Sequence, residues 1–103
     1  MTSDQRTQIE GLRVNVAKTT MPLRAKMRWL KADLAVLATA DEPDTAVIQQ
    51  KIDELLALKK QAMNQRYTHI SEVRKLLTAE QRVAYDMMIL KRVKGRRHKE
   101  REY

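Results

Sequence analysis

"MTSDQRTQIEGL", residues 1–12, and "LTAEQRVAYDMM", residues 77–88, are two renderings of one pattern. In each, a Thr is followed three positions later by a Gln: Thr2 and Gln5 in the first copy, Thr78 and Gln81 in the second. That is the spacing of a capping box, in which the Thr hydroxyl accepts from the backbone N–H of the Gln while the Gln side chain returns to the Thr N–H. Asp4 or Glu80 adds a carboxylate to each first turn, where the helix dipole favours it. Met1 or Leu77 precedes the box and can pack beneath the turn, although Arg6 or Arg82 stands where a strict hydrophobic staple would place an apolar side chain. Each copy therefore starts a helix, and the fold must bring one chain through two such starts.

The composition fits a chain made of helices. Among 103 residues there are only two Gly and two Pro, no Cys, no Phe and a single Trp. A core must come from Leu, Ile, Val, Met and Ala, and the abundance of Ala, Leu, Lys, Arg, Glu and Gln favours long helices over hairpins of strands. The absence of Cys excludes disulfides, thiolate metal sites and cysteine nucleophiles without reporting the compartment. No apolar run approaches the ~20 residues of a membrane span. The length allows one domain or one subunit of an oligomer.

Apolar spacing and stop signals predict four helices. The first runs from Asp4 to about Lys18 on Ile9, Leu12 and Val16, and ends or kinks before Pro22, which disfavours helix at Met21. The second carries the seam Leu23, Met27, Leu30, Leu34 and Leu37 and is closed by "TADEPD", residues 39–44. Asp44 caps a third, with Ile48, Ile52, Leu55, Ala62, Ile70, Val73 and Leu77 as its seam. The short loop folds the second and third helices into an antiparallel hairpin, and the third outlasts the second, so its end needs another partner. The fourth follows Leu77; its apolar set from Val83 to Val93 covers too much of the circumference for a surface helix of a monomer. The predicted organisation is one helical domain over residues 1–93 and a basic, disordered tail over residues 94–103.

The net charge of +8 is placed at the two ends. Residues 1–40 carry seven Lys or Arg against three Asp or Glu, residues 41–77 balance six against six, and residues 78–103 carry eight against four.

The paired motif resembles that of the LTxxQ family of bacterial periplasmic proteins, which includes Spy- and CpxP-like chaperones and related heavy-metal resistance and sensor proteins. The similarity covers roughly residues 1–93 and is strongest in "HISEVRKLLTAEQRVAYD", residues 69–86, similar to the corresponding segment of the nickel and cobalt sensors. The resemblance implies an all-α subunit of four helices that pairs into a thin, curved, cradle-shaped homodimer with a basic, partly apolar face. It also implies a periplasmic home and a signal peptide. Met1 stands where the family motif has Leu, so the expectation is that a start codon replaces that Leu and that further residues precede this sequence.

Two functions follow from the resemblance. The first is an ATP-independent chaperone or stress-response protein that holds unfolded or misfolded clients and requires no cofactor. "PLRAKMRWLK", residues 22–31, mixes cations with apolar groups, a combination that attracts acidic, unfolded chains at distance and holds them weakly on contact. The client-contact candidates are Arg24, Met27, Arg28, Trp29 and Lys31, with Arg66 and Tyr67 from the third helix. An ordinary amphipathic helix with solvated charges accounts for the same stretch. A membrane-bound stress sensor is a further partner for a regulator of this kind.

The second function is a heavy-metal sensor or resistance protein using zinc, nickel or cobalt. In the resembling sensors a His at the place of His69 ligates metal, joined by a Met four residues later and by His and Glu ligands near the first helix. Here Val73 stands at the place of that Met and Arg13 at about the place of the Glu, and the other His, His98, lies in the tail. A lone helical His is ordinarily a polar or half-buried side chain.

Other classes find less support. No phosphate loop, nucleophile with its base, or carboxylate pair marks an enzyme. "KIDELLALKKQAMNQR", residues 51–66, is similar to helices of small all-α chorismate mutases, but it is a generic amphipathic phrase and the rest of the chain does not follow. "KRVKGRRHKER", residues 91–101, would neutralise phosphates nonspecifically, and no helix-turn-helix spacing or aromatic set points to a specific nucleic acid.

Overall fold

The computed structural model describes residues 1–101, with side chains as far as Gly95. It is all-helical: α1 (Ser3–Ala38), α2 (Thr45–Lys75) and α3 (Ala79–Arg101), with no strand among the described residues. The helix count corrects the expectation of four, because the first two predicted helices are one. Pro22 lies inside α1. A proline in a helix interior removes one backbone bond and costs about 3 kcal/mol, so something must hold the helix through it. Leu23 and Leu30, just beyond Pro22, are among the few buried side chains, at 7% and 6% exposure, and a break there would take them off α2. Just before it, the hydroxyls of Thr19 and Thr20 donate to the Val16 carbonyl at 3.0 and 2.8 Å, back-bonding that lets a helix adjust without ending. Packing along the hairpin overrides the local preference at Met21.

The hairpin turns between Thr39, whose hydroxyl donates to the Ala35 carbonyl at 2.8 Å, and Asp44, whose carboxylate caps α2 by accepting from the Val47 N–H at 3.2 Å. α1 and α2 pack antiparallel. Leu30 shares a cavity wall with Leu58, and Val16 shares one with Thr68, which fixes their register. The buried residues are Leu23, Leu30, Val73 and Leu77. The rest of the predicted seam, including Leu12, Val16, Leu34, Ile48, Ile52 and Ile70, is half-buried.

The molecule measures 60 × 28 × 15 Å, and its thinnest dimension is little more than one helix with side chains, about 10–12 Å. Its radius of gyration is 18.2 Å, where a compact chain of this length would have about 13 Å. Its accessible surface is 8504 Å², against about 6,000 Å² for a folded globular monomer of this mass. A single layer of helices has two broad faces and little interior, which accounts for both differences. α3 shows the same economy: Val83, Met87 and Leu90 are 61%, 64% and 65% exposed, so its second apolar side is not covered within the chain. α3 runs to Arg101, and the side chains of residues 96–101 and the whole of residues 102 and 103, the greater part of the expected tail over residues 94–103, lie outside the described residues. No helix among the described residues is long and apolar enough to cross a membrane.

Candidate functional site

Both capping boxes form. The Thr2 hydroxyl accepts from the Gln5 N–H at 3.1 Å and the Gln5 side-chain oxygen accepts from the Thr2 N–H at 2.9 Å. The Thr78 hydroxyl accepts from the Gln81 N–H at 3.2 Å, and the Gln81 side-chain oxygen accepts from the Thr78 N–H at 2.9 Å. The fold then joins the two. The Gln5 amide Nε2 donates to the Leu76 carbonyl at 2.7 Å and to the Gln81 side-chain oxygen at 3.0 Å. One glutamine thus caps its own helix, satisfies a carbonyl at the end of α2 and touches the second box. Leu77 is buried beside this junction, and Met1 and Leu77 line the same apolar cavity, with Ile9, Val73 and Met88. Arg74 of α2 and Asp86 of α3 pair at 3.0 Å across the turn. The repeated motif is the latch that sets α3 on the open end of the hairpin.

The two faces of the hairpin differ in charge. At about 100° per residue, positions to one side of the buried Leu23–Leu30 line on α1 are Arg13, Arg24, Met27, Arg28 and Lys31. The same face of α2 carries Leu56, Lys59, Met63, Arg66 and Tyr67. On the other face lie Asn15, Lys26, Trp29 and Asp33 of α1 with Lys51, Glu54, Gln61, Asn64, Thr68 and Glu72 of α2, as the two cavities on that side show. One face is basic, with Glu10 on it paired to Arg13, and the other is mixed and rich in amides. Exposed Leu56, Met63 and Tyr67, at 56%, 54% and 55%, interrupt the basic face with apolar surface.

The client-contact candidates divide accordingly. Arg24, Met27, Arg28 and Lys31 share the basic face with Arg66 and Tyr67, whereas Trp29, 74% exposed, points to the other side. Along the axis the two groups are also apart. The register sets Arg66 level with about Lys18, roughly ten residues or about 15 Å from Arg28 at 1.5 Å per residue. The Arg66 guanidinium instead sits 5.8 Å from the centre of the Tyr67 ring. Leu56, Lys59 and Met63 bridge this interval on α2; sequence reasoning singles out neither Leu56 nor Met63, and reads Lys59 only as continuing the seam of the third predicted helix.

His69 is half-buried between the helices and lines two cavities. One, of about 410 Å³ on the amide-rich face, also holds Asn15, Asn64, Gln65 and Glu72. The second, of about 250 Å³ on the basic face, is ringed by Arg13, Arg66, Arg92 and Tyr85 over Ile9, Ile70, Val73, Met88 and Ile89. Among the described residues no three His, Cys, Asp or Glu side chains group as metal ligands would. Glu72 is held by Lys75 at 3.2 Å, Val73 is buried at 2% exposure, and Arg13 brings a fixed positive charge to the imidazole's surroundings. The donor set around His69 does not fit a divalent cation. His98 lies where side chains are not described.

Three ionisable groups at or beside this cavity are perturbed. A hydrogen bond and ion pair from Arg13, at 2.6 Å, holds the Glu10 carboxyl below its ordinary range and raises the Arg13 guanidinium in turn. Burial raises the Tyr85 phenol; the positive charge of Arg92 opposes that shift and the negative charge of Asp86 adds to it.

The chain matches the model of the heavy-metal resistance family over residues 1–84. No curated protein and no solved structure matches it. The match takes in the first motif, the hairpin and residues 77–84 of the second motif, and so includes both capping boxes. The chain belongs to the heavy-metal resistance family, the family of the LTxxQ Spy- and CpxP-like periplasmic proteins.

Proposed function

We propose that this protein is an ATP-independent, anti-aggregation chaperone of the periplasm, which holds unfolded clients on the basic face of a homodimer. The observation that carries the reading is the composition of that face: Arg24, Arg28, Lys31, Lys59 and Arg66 surround exposed Leu56, Met63 and Tyr67, while Asp33, Glu54 and Glu72 lie on the opposite side. A layer one helix thick offers this surface without unfolding anything. Separated cations attract acidic, extended chains and screen out over about 8–10 Å at ordinary salt, so holding is reversible. Methionine and the methylene stems of Lys and Arg adapt to varied apolar partners. The uncovered side of α3 is the surface by which two copies would associate.

The family match carries a second reading, heavy-metal resistance or sensing through zinc, nickel or cobalt. His69 would be one ligand, and the others would have to come from outside the described residues.

Light scattering of a chemically unfolded, aggregating client in chelator-treated buffer separates the two. Suppression near a stoichiometric ratio, without ATP or metal, supports the chaperone. Suppression that requires restored zinc, nickel or cobalt, or none at all, overturns it.

A further inference from the structure

The 250 Å³ cavity on the basic face, at the junction of the hairpin with α3, shares Ile9, Val73 and Met88 with the apolar cavity beside the latch and His69 with the amide-lined cavity, and differs from both in gathering arginines. Its cations come from three helices: Arg13 from α1, Arg66 from α2 and Arg92 from α3. Bringing three guanidinium groups to one small opening is repulsive unless an anion joins them. Only Arg13 has a carboxylate partner among the described residues, Glu10 at 2.6 Å; Arg66 and Arg92 have none within ion-pair distance. Guanidinium groups present paired N–H donors that match the two oxygens of a carboxylate. Below this rim the cavity is aliphatic, with Ile70 and the buried Val73 on its floor, and an inorganic anion would leave that surface unused.

The geometry points to a binding site for a small amphiphilic anion, an aliphatic monocarboxylate whose head is held by Arg66 and Arg92 and whose chain lies on Ile70 and Val73. The volume suits a ligand smaller than a drug-sized molecule, since pockets for those run upward from about 300 Å³. Tyr85 lines the same cavity, and its phenol, protonated at neutral pH as any tyrosine is, offers a further donor to the head. The larger cavity across His69 has amides and Glu72 in place of the arginines, so the preference for an anion is local to one side of the layer. This site does not depend on the chaperone reading.

The test is a titration of the full chain with octanoate below its micelle concentration, followed by heteronuclear NMR at Ile70, Val73 and Tyr85. Acetate, inorganic phosphate and an octyl-trimethylammonium salt serve as the comparison probes. The expected result is saturable one-to-one binding of octanoate. Acetate, phosphate and the cationic amphiphile should leave those signals in place. Arg66→Gln should weaken octanoate at least tenfold, and Lys26→Gln, an equal charge change on the other face, should alter it less than twofold. If Arg66→Gln does not fold by circular dichroism, Arg92→Gln is held to the same tenfold criterion. Equal binding of phosphate or acetate, equal binding of the cationic amphiphile, or loss of charge at the rim without loss of affinity would each overturn the assignment.

Discussion

Replacing Gln5 by Ala removes the side chain on which both motifs converge. Three hydrogen bonds go with it: the one accepted from the Thr2 N–H at 2.9 Å, and those donated to the Leu76 carbonyl at 2.7 Å and to the Gln81 oxygen at 3.0 Å. A typical intramolecular hydrogen bond is worth about 0.5–1.5 kcal/mol net. The Thr2 end is exposed and water replaces much of its bond, so it contributes about 0.5 kcal/mol; the other two are part-buried and contribute about 1 kcal/mol each. The sum is about 2–3 kcal/mol, which for a domain near this size lowers the melting temperature by roughly 8–24 °C. Thr2→Ala, which removes the cap alone, should cost about 1 kcal/mol. Gln81→Ala should fall between them, because the bond from Gln5 to Leu76 survives. Thermal and urea unfolding followed by far-ultraviolet circular dichroism, at one fixed protein concentration, measures all three. If Gln5→Ala is no more destabilising than Thr2→Ala, the bridge between the motifs contributes nothing and the latch is wrong.

Pro22→Ala restores a backbone donor inside α1, and since proline in a helix interior costs about 3 kcal/mol, the variant should melt several degrees higher; a lower melting temperature would mean that α1 uses the proline ring or its bend. Tyr85 is held protonated by burial, so its folded pKa lies above that of the unfolded chain; this stability is complete below the unfolded value of about 10 and is lost as pH rises through the folded pKa. Unfolding measured across that alkaline window should show a fall that Tyr85→Phe reduces, and an unchanged slope would refute the assignment. On the faces, Arg24→Glu combined with Arg28→Glu should abolish suppression of client aggregation, while Trp29→Ala should leave it within about twofold, because Trp29 lies on the opposite side. A large effect of Trp29→Ala in the same scattering assay would place clients on the wrong face.

Much of the fold was legible because it depends on local signals. Thr2-x-x-Gln5 and Thr78-x-x-Gln81 announce two helix starts, Asp44 announces a third, and all three caps form. The division at Pro22 was misread for a physical reason: the preference of Met21 is local, whereas the burial of Leu23 and Leu30 against α2 is tertiary and outweighs it. A basic, apolar surface could be expected from residues 22–31, but not its sidedness, since Trp29 and Arg28 are neighbours in sequence and point to different faces. The cavity of Arg13, Arg66 and Arg92 joins side chains from three helices, and no spacing along the chain marks such a set. Nor does the motif show that Gln5 reaches across to Leu76, because that bond exists only once the hairpin has brought both ends together.

The face on which an unfolded client is held is the central claim, and amide-resolved NMR of the protein with a permanently unfolded, acidic client reads it directly. Signal changes should gather at Arg24, Arg28, Leu56, Met63 and Tyr67 and fade as salt is raised, with Asn15, Trp29 and Asn64 little affected. Changes centred on Trp29 and the amide-rich face, or none at any client concentration, would contradict the account.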